Sequence, residues 1–258
     1  MSAPFAAGER ALLVDPKGRR YLVTLKALGE FHSHAGVLAH DDLIGQAEGV
    51  RVKATRGTAY VALRPTLADF VLKMPRGAQV IYPKDLAPIV MLADISPGCR
   101  VLESGVGSGA LSMTLLRAGA IITGYELRED FANRARANVA SFLGEAALGR
   151  YGVELRDIYE GIDAPATPYD RAVLDLPEPW RVIRLLTGVL APGGTVVTYT
   201  PQITQAAQVR YALEAGPWLG AGTLEVLHRD WHIEGQSVRP DHRMVAHTGF
   251  LTSARFLG

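Results

Sequence analysis

The chain of 258 residues predicts an α/β fold: a seven-stranded, doubly wound, Rossmann-like sheet with a small N-terminal β domain. Three observations predict it. From residue 84 onward short apolar runs alternate with stretches of helical period, the pattern of a mostly parallel sheet clothed by helices. One strand-to-helix junction is glycine-rich, Glu103-Ser104-Gly105-Val106-Gly107-Ser108-Gly109. Residues 1–63 instead carry paired β runs around turn signals. These read as a small β domain at 1–63, a helical linker with the first sheet helix at 64–98, and the main domain at 99–258.

The elements follow in order. Ala11–Val14 and Tyr21–Leu25 flank Asp15-Pro16-Lys17-Gly18, and Gly49–Lys53 and Ala59–Leu63 flank Thr55-Arg56-Gly57-Thr58, giving two hairpins. Pro65-Thr66 opens a helix through Met74 with Leu67, Phe70, Val71 and Met74 on one face. A helix at 84–95 stops at Ser96-Pro97-Gly98. Strands are expected at 100–104, 120–126, 152–156, 170–175, 195–200, 223–233 and 247–257. Helices are expected at 109–118, 128–143, 177–190 and 202–215. The last two strands have no helix between them and suggest a terminal hairpin. Ligands of such sheets sit at the carboxyl ends of the strands, where the winding reverses.

Composition removes several classes. Apolar residues make up 48% and charged residues 21%, as in ordinary globular proteins. No apolar run approaches the ~20 residues of a membrane span, and the N-terminus lacks the pattern of a secretion signal. Cys99 is the only cysteine, which rules out an intrachain disulfide or a cysteine metal cluster. A cytoplasmic protein is the reading. Net charge is only +1, but residues 1–100 carry 13 Lys+Arg against 9 Asp+Glu, and all five lysines lie at or before Lys84. Two domains with unlike surfaces would also account for that surplus.

The glycine-rich junction points to a ligand. Glycines turn a loop sharply and let a ligand lie on the backbone. Glu126 ends the next apolar run, where an acid can accept hydrogen bonds from a ribose diol. An adenosine-type cofactor is implied. A nicotinamide or flavin fingerprint is G-x-G-x-x-G; the spacing here, E-x-G-x-G-x-G, resembles motif I of class I methyltransferases, which bind S-adenosyl-L-methionine. A nicotinamide site and a ligand-free glycine turn remain open. What the methyltransferase resemblance implies as the donor frame is Glu103, Gly105, Val106, Gly107, Ser108, Gly109, Ala110, Leu111, Glu126, Phe131, Asp157 and Asp175.

Other strand ends carry chemistry. Asp157 can take an adenine amino group or cap a helix. Asp175-Leu176-Pro177-Glu178-Pro179-Trp180 stands where a methyl donor faces its acceptor. Ionised Asp175 only accepts hydrogen bonds; it can grip the amino group of an adenine, or cap a helix with Pro177 at its first position. In Tyr82-Pro83-Lys84-Asp85, Tyr82 can stack on a base and Lys84 can meet a phosphate, or both simply start a helix with the charges solvated. His32, His34 and His40 could hold a metal, but no fourth ligand is evident and no metal is expected; Asp41-Asp42 reads as a helix cap. No G-x-S-x-G elbow surrounds Ser104 or Ser108.

Taken together these motifs resemble the TrmI family of bacterial tRNA (adenine-58-N1)-methyltransferases over nearly the whole chain. The resemblance rests on Gly18–Val23, Phe31–His34, His40–Gly45, Arg64-Pro65-Thr66, Tyr82–Asp85, the glycine loop, Asp175–Trp180, Thr200–Gln205 and His247–Leu251. It implies a class I methyltransferase sheet, a homotetramer, tRNA as partner, no membrane, and Asp175 with Tyr82 as catalytic residues on the target adenine. Basic residues of the N-terminal domain, Lys17, Arg19, Arg20 and Lys53, are expected to help hold tRNA. Two departures stand out: a shorter segment between the glycine-loop helix and Glu126, and Ser104-Gly105-Val106 where Ala-Gly-Thr is usual.

Overall fold

A computed structural model describes residues 3–77 and 79–258. It divides at Met74/Pro75 into two compact units. The 64–98 segment is therefore shared between them, its first helix falling in one unit and its second in the other.

In the first unit a four-stranded antiparallel sheet runs β2-β1-β6-β5, from β1 (Arg10–Val14), β2 (Arg20–Thr24), β5 (Arg51–Lys53) and β6 (Ala59–Leu63). Both expected hairpins form. A third, β3 (Glu30–Ser33) with β4 (Gly36–Ala39), lies where the sequence drew attention to histidines. Its strands are short and mixed in polarity, so period carried little signal. Phe5, Leu13, Leu25, Leu38, Leu43 and Tyr60 form the core. Helix α1 (Leu67–Lys73) starts at a Thr66–Asp69 capping box, and Asp69 also holds Arg20 at 2.7 Å. Arg19 is tied to Asp15 and to His34. The Asp41-Asp42 helix cap is not seen: the short turn His40–Asp42 has no side-chain cap, and Asp41 accepts from the backbone N–H of Leu28, whose φ is 57°.

The second unit holds a seven-stranded sheet ordered β12-β15-β11-β10-β7-β8-β9: β7 (Arg100–Ser104), β8 (Ile121–Glu126), β9 (Tyr151–Leu155), β10 (Tyr169–Asp175), β11 (Leu190–Thr200), β12 (Trp218–Glu225) and β15 (Phe250–Phe256). β7 through β11 pair in parallel, and β15 is antiparallel to both neighbours. The chain winds outward from β7 to β8 and β9, then crosses back to β10, so the reversal falls between β7 and β10. Helices α2 (Pro83–Leu92), α3 (Ala110–Arg117), α4 (Glu129–Leu143), α5 (Trp180–Leu186) and α6 (Ile203–Glu214) cover it. Among the described residues no helix is long and apolar enough to cross a membrane.

Three expected boundaries move. The helix of 177–190 begins only at Trp180, after an irregular loop through Pro177 in which Pro179, φ -62° and ψ -24°, is the N-cap. The strand of 223–233 ends at Glu225, and a separate hairpin, β13 (Trp231–Glu234) with β14 (Ser237–Pro240), interrupts the terminal β12–β15 pair. Strand β11 reaches back to Leu190 through Pro192-Gly193-Gly194, residues that argue against a central strand by propensity; they fall in an irregularity of the ladder, since Leu190 pairs with Tyr169 and pairing resumes only at Thr195 with Arg171.

Candidate active site

The three glycines of the loop do three different jobs. Gly105 leaves β7 at φ +83°, and a Cβ there would drive into the main-chain carbonyl of Asp175. The loop therefore touches the end of β10 backbone to backbone. Gly107, at φ +55°, faces open space. Gly109, at φ +82°, starts α3 and packs against the main chain of Ala135 on α4, 3.1 Å from where its Cβ would lie. Glu126, ending β8, accepts from the N–H groups of Gly107 (2.9 Å) and Arg128 (3.0 Å). Each carboxylate oxygen has a lone pair left for a ligand.

Beside the loop lies a cavity of about 400 Å³. Its walls include Tyr125, Phe131 and Ile158, and its polar edge Glu126, Asp157 and Asp175. The Arg128 guanidinium stacks 3.8 Å from the centre of the Phe131 ring. Asp157 is the cap of a short turn, its Oδ1 accepting from the N–H of Tyr159 (2.9 Å), and it also lines the cavity. A smaller hollow across the loop is lined by Val106, Ser108, Ala110 and Leu111, with Gly105, Gly107 and Asp175 common to both. Glu103 lies deeper. It is fully buried, accepts from Ser112 Oγ (2.9 Å), and its Oε2 has no partner among the described residues. Burial pushes its carboxyl up to about 8. Of the donor frame, only Glu103 and Gly109 line neither hollow.

Asp175 is half-buried and has no side-chain hydrogen bond among the described residues. Burial, and behind it the charge of Glu126, pushes its carboxyl up to about 7. It is not a helix cap, since Pro179 occupies the N-cap position of α5. The loop after it is clamped from outside: the Glu178 N–H donates to Tyr159 Oη (3.0 Å), and Gln205 Nε2 donates to the Pro177 carbonyl (2.9 Å). Asp175 pairs in register with Tyr199 on β11.

Tyr82 precedes Pro83 at the start of α2 and makes no cap hydrogen bond. It does not line the cavity. Lys84 and Asp85 are neither solvated nor free for a phosphate. Lys84 Nζ holds Asp85 Oδ1 (2.9 Å) and the Val226 carbonyl (2.7 Å), with side chains 8% and 0% exposed. Asp85 Oδ2 accepts from Thr248 Oγ1 (2.6 Å), and the Thr248 carbonyl accepts from Tyr199 Oη (2.7 Å). Burial, and behind it the charges of Asp85 and Asp175, pushes the Tyr199 hydroxyl up to about 12. Sequence reasoning missed Tyr199, Gln205, Thr248 and Tyr159. The segments Thr200–Gln205 and His247–Leu251 stood out as motifs, but nothing in them announced what they touch. The described residues include no group of side chains that could hold a metal ion.

A glycine loop and a ribose-ready acid at the reversal of a doubly wound sheet, with an antiparallel last strand, define the S-adenosylmethionine-dependent methyltransferases. Residues 57–239 match the family described as the tRNA methyltransferase complex GCD14 subunit, and residues 4–52 match the TrmI-like N-terminal family. The chain belongs to the TrmI family. It is 37% identical to the tRNA (adenine(58)-N(1))-methyltransferase TrmI of Thermus thermophilus over 95% of both chains. It is 34% identical to the tRNA (adenine(57)-N(1)/adenine(58)-N(1))-methyltransferase TrmI of Methanocaldococcus jannaschii, over 95% of this chain and 94% of that one. The solved TrmI of Aquifex aeolicus superposes with a TM-score of 0.86 at 28% identity, covering 99% of each chain. A structure from Thermotoga maritima called a SAM-dependent O-methyltransferase gives 0.93 at 30% identity, covering 99% of this chain and 96% of that one.

Proposed function

We propose that this enzyme transfers a methyl group from S-adenosyl-L-methionine to N1 of adenine 58 in the T loop of tRNA. The carrying observation is Asp175: a half-buried carboxylate with no side-chain hydrogen bond among the described residues, at the end of β10 and against the glycine loop. The donor, when bound, supplies an electrophilic methyl on a sulfonium and leaves as a neutral thioether. Glu126 would hold the donor's ribose and Asp157 its adenine amino group, while Phe131 and Ile158 cover its flat face.

The acceptor needs no base before attack, because adenine N1 is an unprotonated lone pair. Its electron pair forms the new N–C bond as the S–C bond breaks, and the ring becomes cationic. Asp175 would accept from the exocyclic amino group and gain strength as that charge develops, which is stabilisation selective for the transition state. The clamps from Tyr159 and Gln205 keep the Asp175 loop in position; positioning supplies much of the rate. Because N1 lies on the Watson–Crick edge, the base must first leave its stack, at a cost of a few kcal/mol. Tyr82, by this reading, holds the extruded base, and Lys17 and Lys53 meet phosphates.

The reading includes a homotetramer working in the cytoplasm. Support for self-association is the 227–245 arm, where Leu227, Trp231, Ile233, Val238 and Val245 are all exposed; grouped apolar exposure of this kind marks interaction surfaces. Light scattering on the purified enzyme tests it, and a monomer at micromolar concentration would remove it.

The test of function is methylation of an unmodified tRNA transcript followed by digestion and mass spectrometry. N1-methyladenosine at position 58, absent from a transcript with guanine there, is expected. Methyl at adenine 57 as well would extend the site to that of the archaeal relative. Methyl on a ribose or other oxygen, the chemistry named for the Thermotoga protein, would overturn it.

A further inference from the structure

The purpose of three acids around one loop is not exhausted by the contacts above. Glu103, Glu126 and Asp175 lie at the carboxyl ends of three adjacent parallel strands, β7, β8 and β10. Glu103 is fully buried and Glu126 is 9% exposed. Their fixed donors are few. Glu126 has two backbone N–H groups, Glu103 has one hydroxyl, and Asp175 has none among the described residues.

Four of the cations nearby are already engaged, while Arg134 of α4 lies beside Phe131. Arg128 is held by Asp130 (2.8 Å) and Arg156 by Asp163 (2.5 Å). Arg136 of α4 donates to the Val153 carbonyl (2.7 Å), and Lys84 of α2 is locked on Asp85. The remaining groups facing the set are Asp157, itself an acid, and neutral ones: Gln79, Ser112 of α3, and the hydroxyls of Tyr125, Tyr151, Tyr159 and Tyr199. Tyr151 sits on Ser112 Oγ at 2.9 Å, and burial raises its phenol well above the usual range. Arg128, although half-exposed, still stands beside Glu126, but Glu103 and Asp175 form no ion pair among the described residues, and the charges acting on them are those of other acids. Burial and mutual repulsion lift Asp175 to about 7 and Glu103 to about 8, so the set keeps protons near neutrality.

We infer that Glu103, Glu126 and Asp175 together read the charge of the cofactor, retaining the cationic methyl-bearing donor and letting the neutral spent donor go. This rests on the cavity being the S-adenosylmethionine site. The donor carries a sulfonium, an ammonium and a carboxylate, one net positive charge. Loss of the methyl converts the sulfonium to an uncharged thioether and leaves no net charge. The missing counter-ion is thus brought in by the donor and disappears when the methyl has gone. Binding the cation favours ionised carboxylates, so protons leave as the donor binds. Because ionised carboxylates hold the cation and protonated ones do not, donor affinity rises with pH up to the free enzyme's values, near 7 to 8.

Calorimetry of the intact enzyme tests this with S-adenosylmethionine, S-adenosylhomocysteine and sinefungin, which carries an amine in place of the sulfonium. Titrations run between about pH 6 and 7.5, below the ordinary range of an α-amino group, in two buffers of different ionisation heat. Affinity for the two cationic compounds should rise, approaching tenfold per pH unit if one proton is released, while that for the neutral one stays within about twofold. The preference for donor over spent donor then widens with pH. Glu103→Gln and Asp175→Asn should each narrow it, by roughly 3- to 10-fold. The wild-type titration needs no variant to fold. A preference that does not change with pH, or donor binding without proton release, would overturn the inference and leave the cofactor assignment standing. If no compound binds, the cofactor assignment fails, and this inference with it.

Discussion

On the proposed reading, the donor side and the acceptor side of the site are built from different materials. The donor side is mostly main chain: the turn at Gly105, the open face of Gly107, and two N–H groups aimed at Glu126. Its parts lie close together in sequence. The acceptor side is a web from four distant segments, Tyr82–Asp85, Asp175–Trp180, Tyr199–Gln205 and Thr248, joined through side-chain hydrogen bonds. A backbone-built cradle can be broken only where a side chain is forced into it. A side-chain web can be loosened one strand at a time, so the two sides should fail differently.

The largest failure is expected at Gly105, because it belongs to both sides. A methyl there meets the Asp175 carbonyl, and φ +83° is strained for any L side chain. Gly105→Ala should abolish donor binding in calorimetry and methylation together, with affinity down on the order of 100-fold or more, since even ~1 Å of displacement costs that much at a reacting centre. Near-wild-type affinity would mean that the contact of loop and strand is incidental. Asp175→Ala comes next and should cost turnover far more than donor affinity. Single-turnover methylation at saturating donor is expected to fall by roughly 10²- to 10³-fold, the worth of one preorganised transition-state partner. Wild-type turnover would remove Asp175 from the chemistry.

The same division explains what could be read in advance. Glycine spacing, a terminal acid at Glu126 and helical period are local signals, so the sheet, its winding and the class of cofactor were legible. The hairpins β3–β4 and β13–β14 were not, since short edge strands of mixed polarity carry little period. Lys84 and Asp85 looked solvated or phosphate-facing because adjacent unlike charges at a helix start usually are. What buries them is a carbonyl 142 positions away and a threonine 163 away, and neither leaves a local trace. Asp175 was visible as a residue of interest but its lack of a partner was not. Glu103 was legible as part of the loop motif, whereas its burial beneath the loop is a property of the packed sheet.

Smaller effects probe the web. Thr248→Val keeps the shape and removes one hydrogen bond to Asp85, leaving a buried carboxylate oxygen short of a donor. A loss of about 1–3 kcal/mol is expected in denaturant unfolding. If Thr248 also positions the acceptor side, methylation should slow several-fold while donor affinity holds. An equal loss in donor affinity would show that the two sides are one mechanical unit and break the comparison.

The smallest expected effect is at His247, and its sign identifies the interaction. Nδ1 faces Glu225 Oε1 at 2.6 Å and Nε2 faces the Pro201 carbonyl at 2.7 Å. Both partners are acceptors, so both ring nitrogens must donate, which requires the imidazolium. The hydrogen bond to Glu225, followed by that to Pro201, raises the His247 pKa above its ordinary value. A histidine whose folded value is raised lends stability fully below its unfolded value, ~6.5, and loses it as pH climbs through the folded one. The difference in melting temperature between wild type and His247→Gln should therefore be greatest near pH 6 and shrink above neutrality. The ring is half-exposed, so the difference should be small throughout. A gap that does not change with pH would mean that His247 acts through its shape, packed on Phe250 at 5.1 Å, and that charge plays no part in fastening this end of the acceptor web.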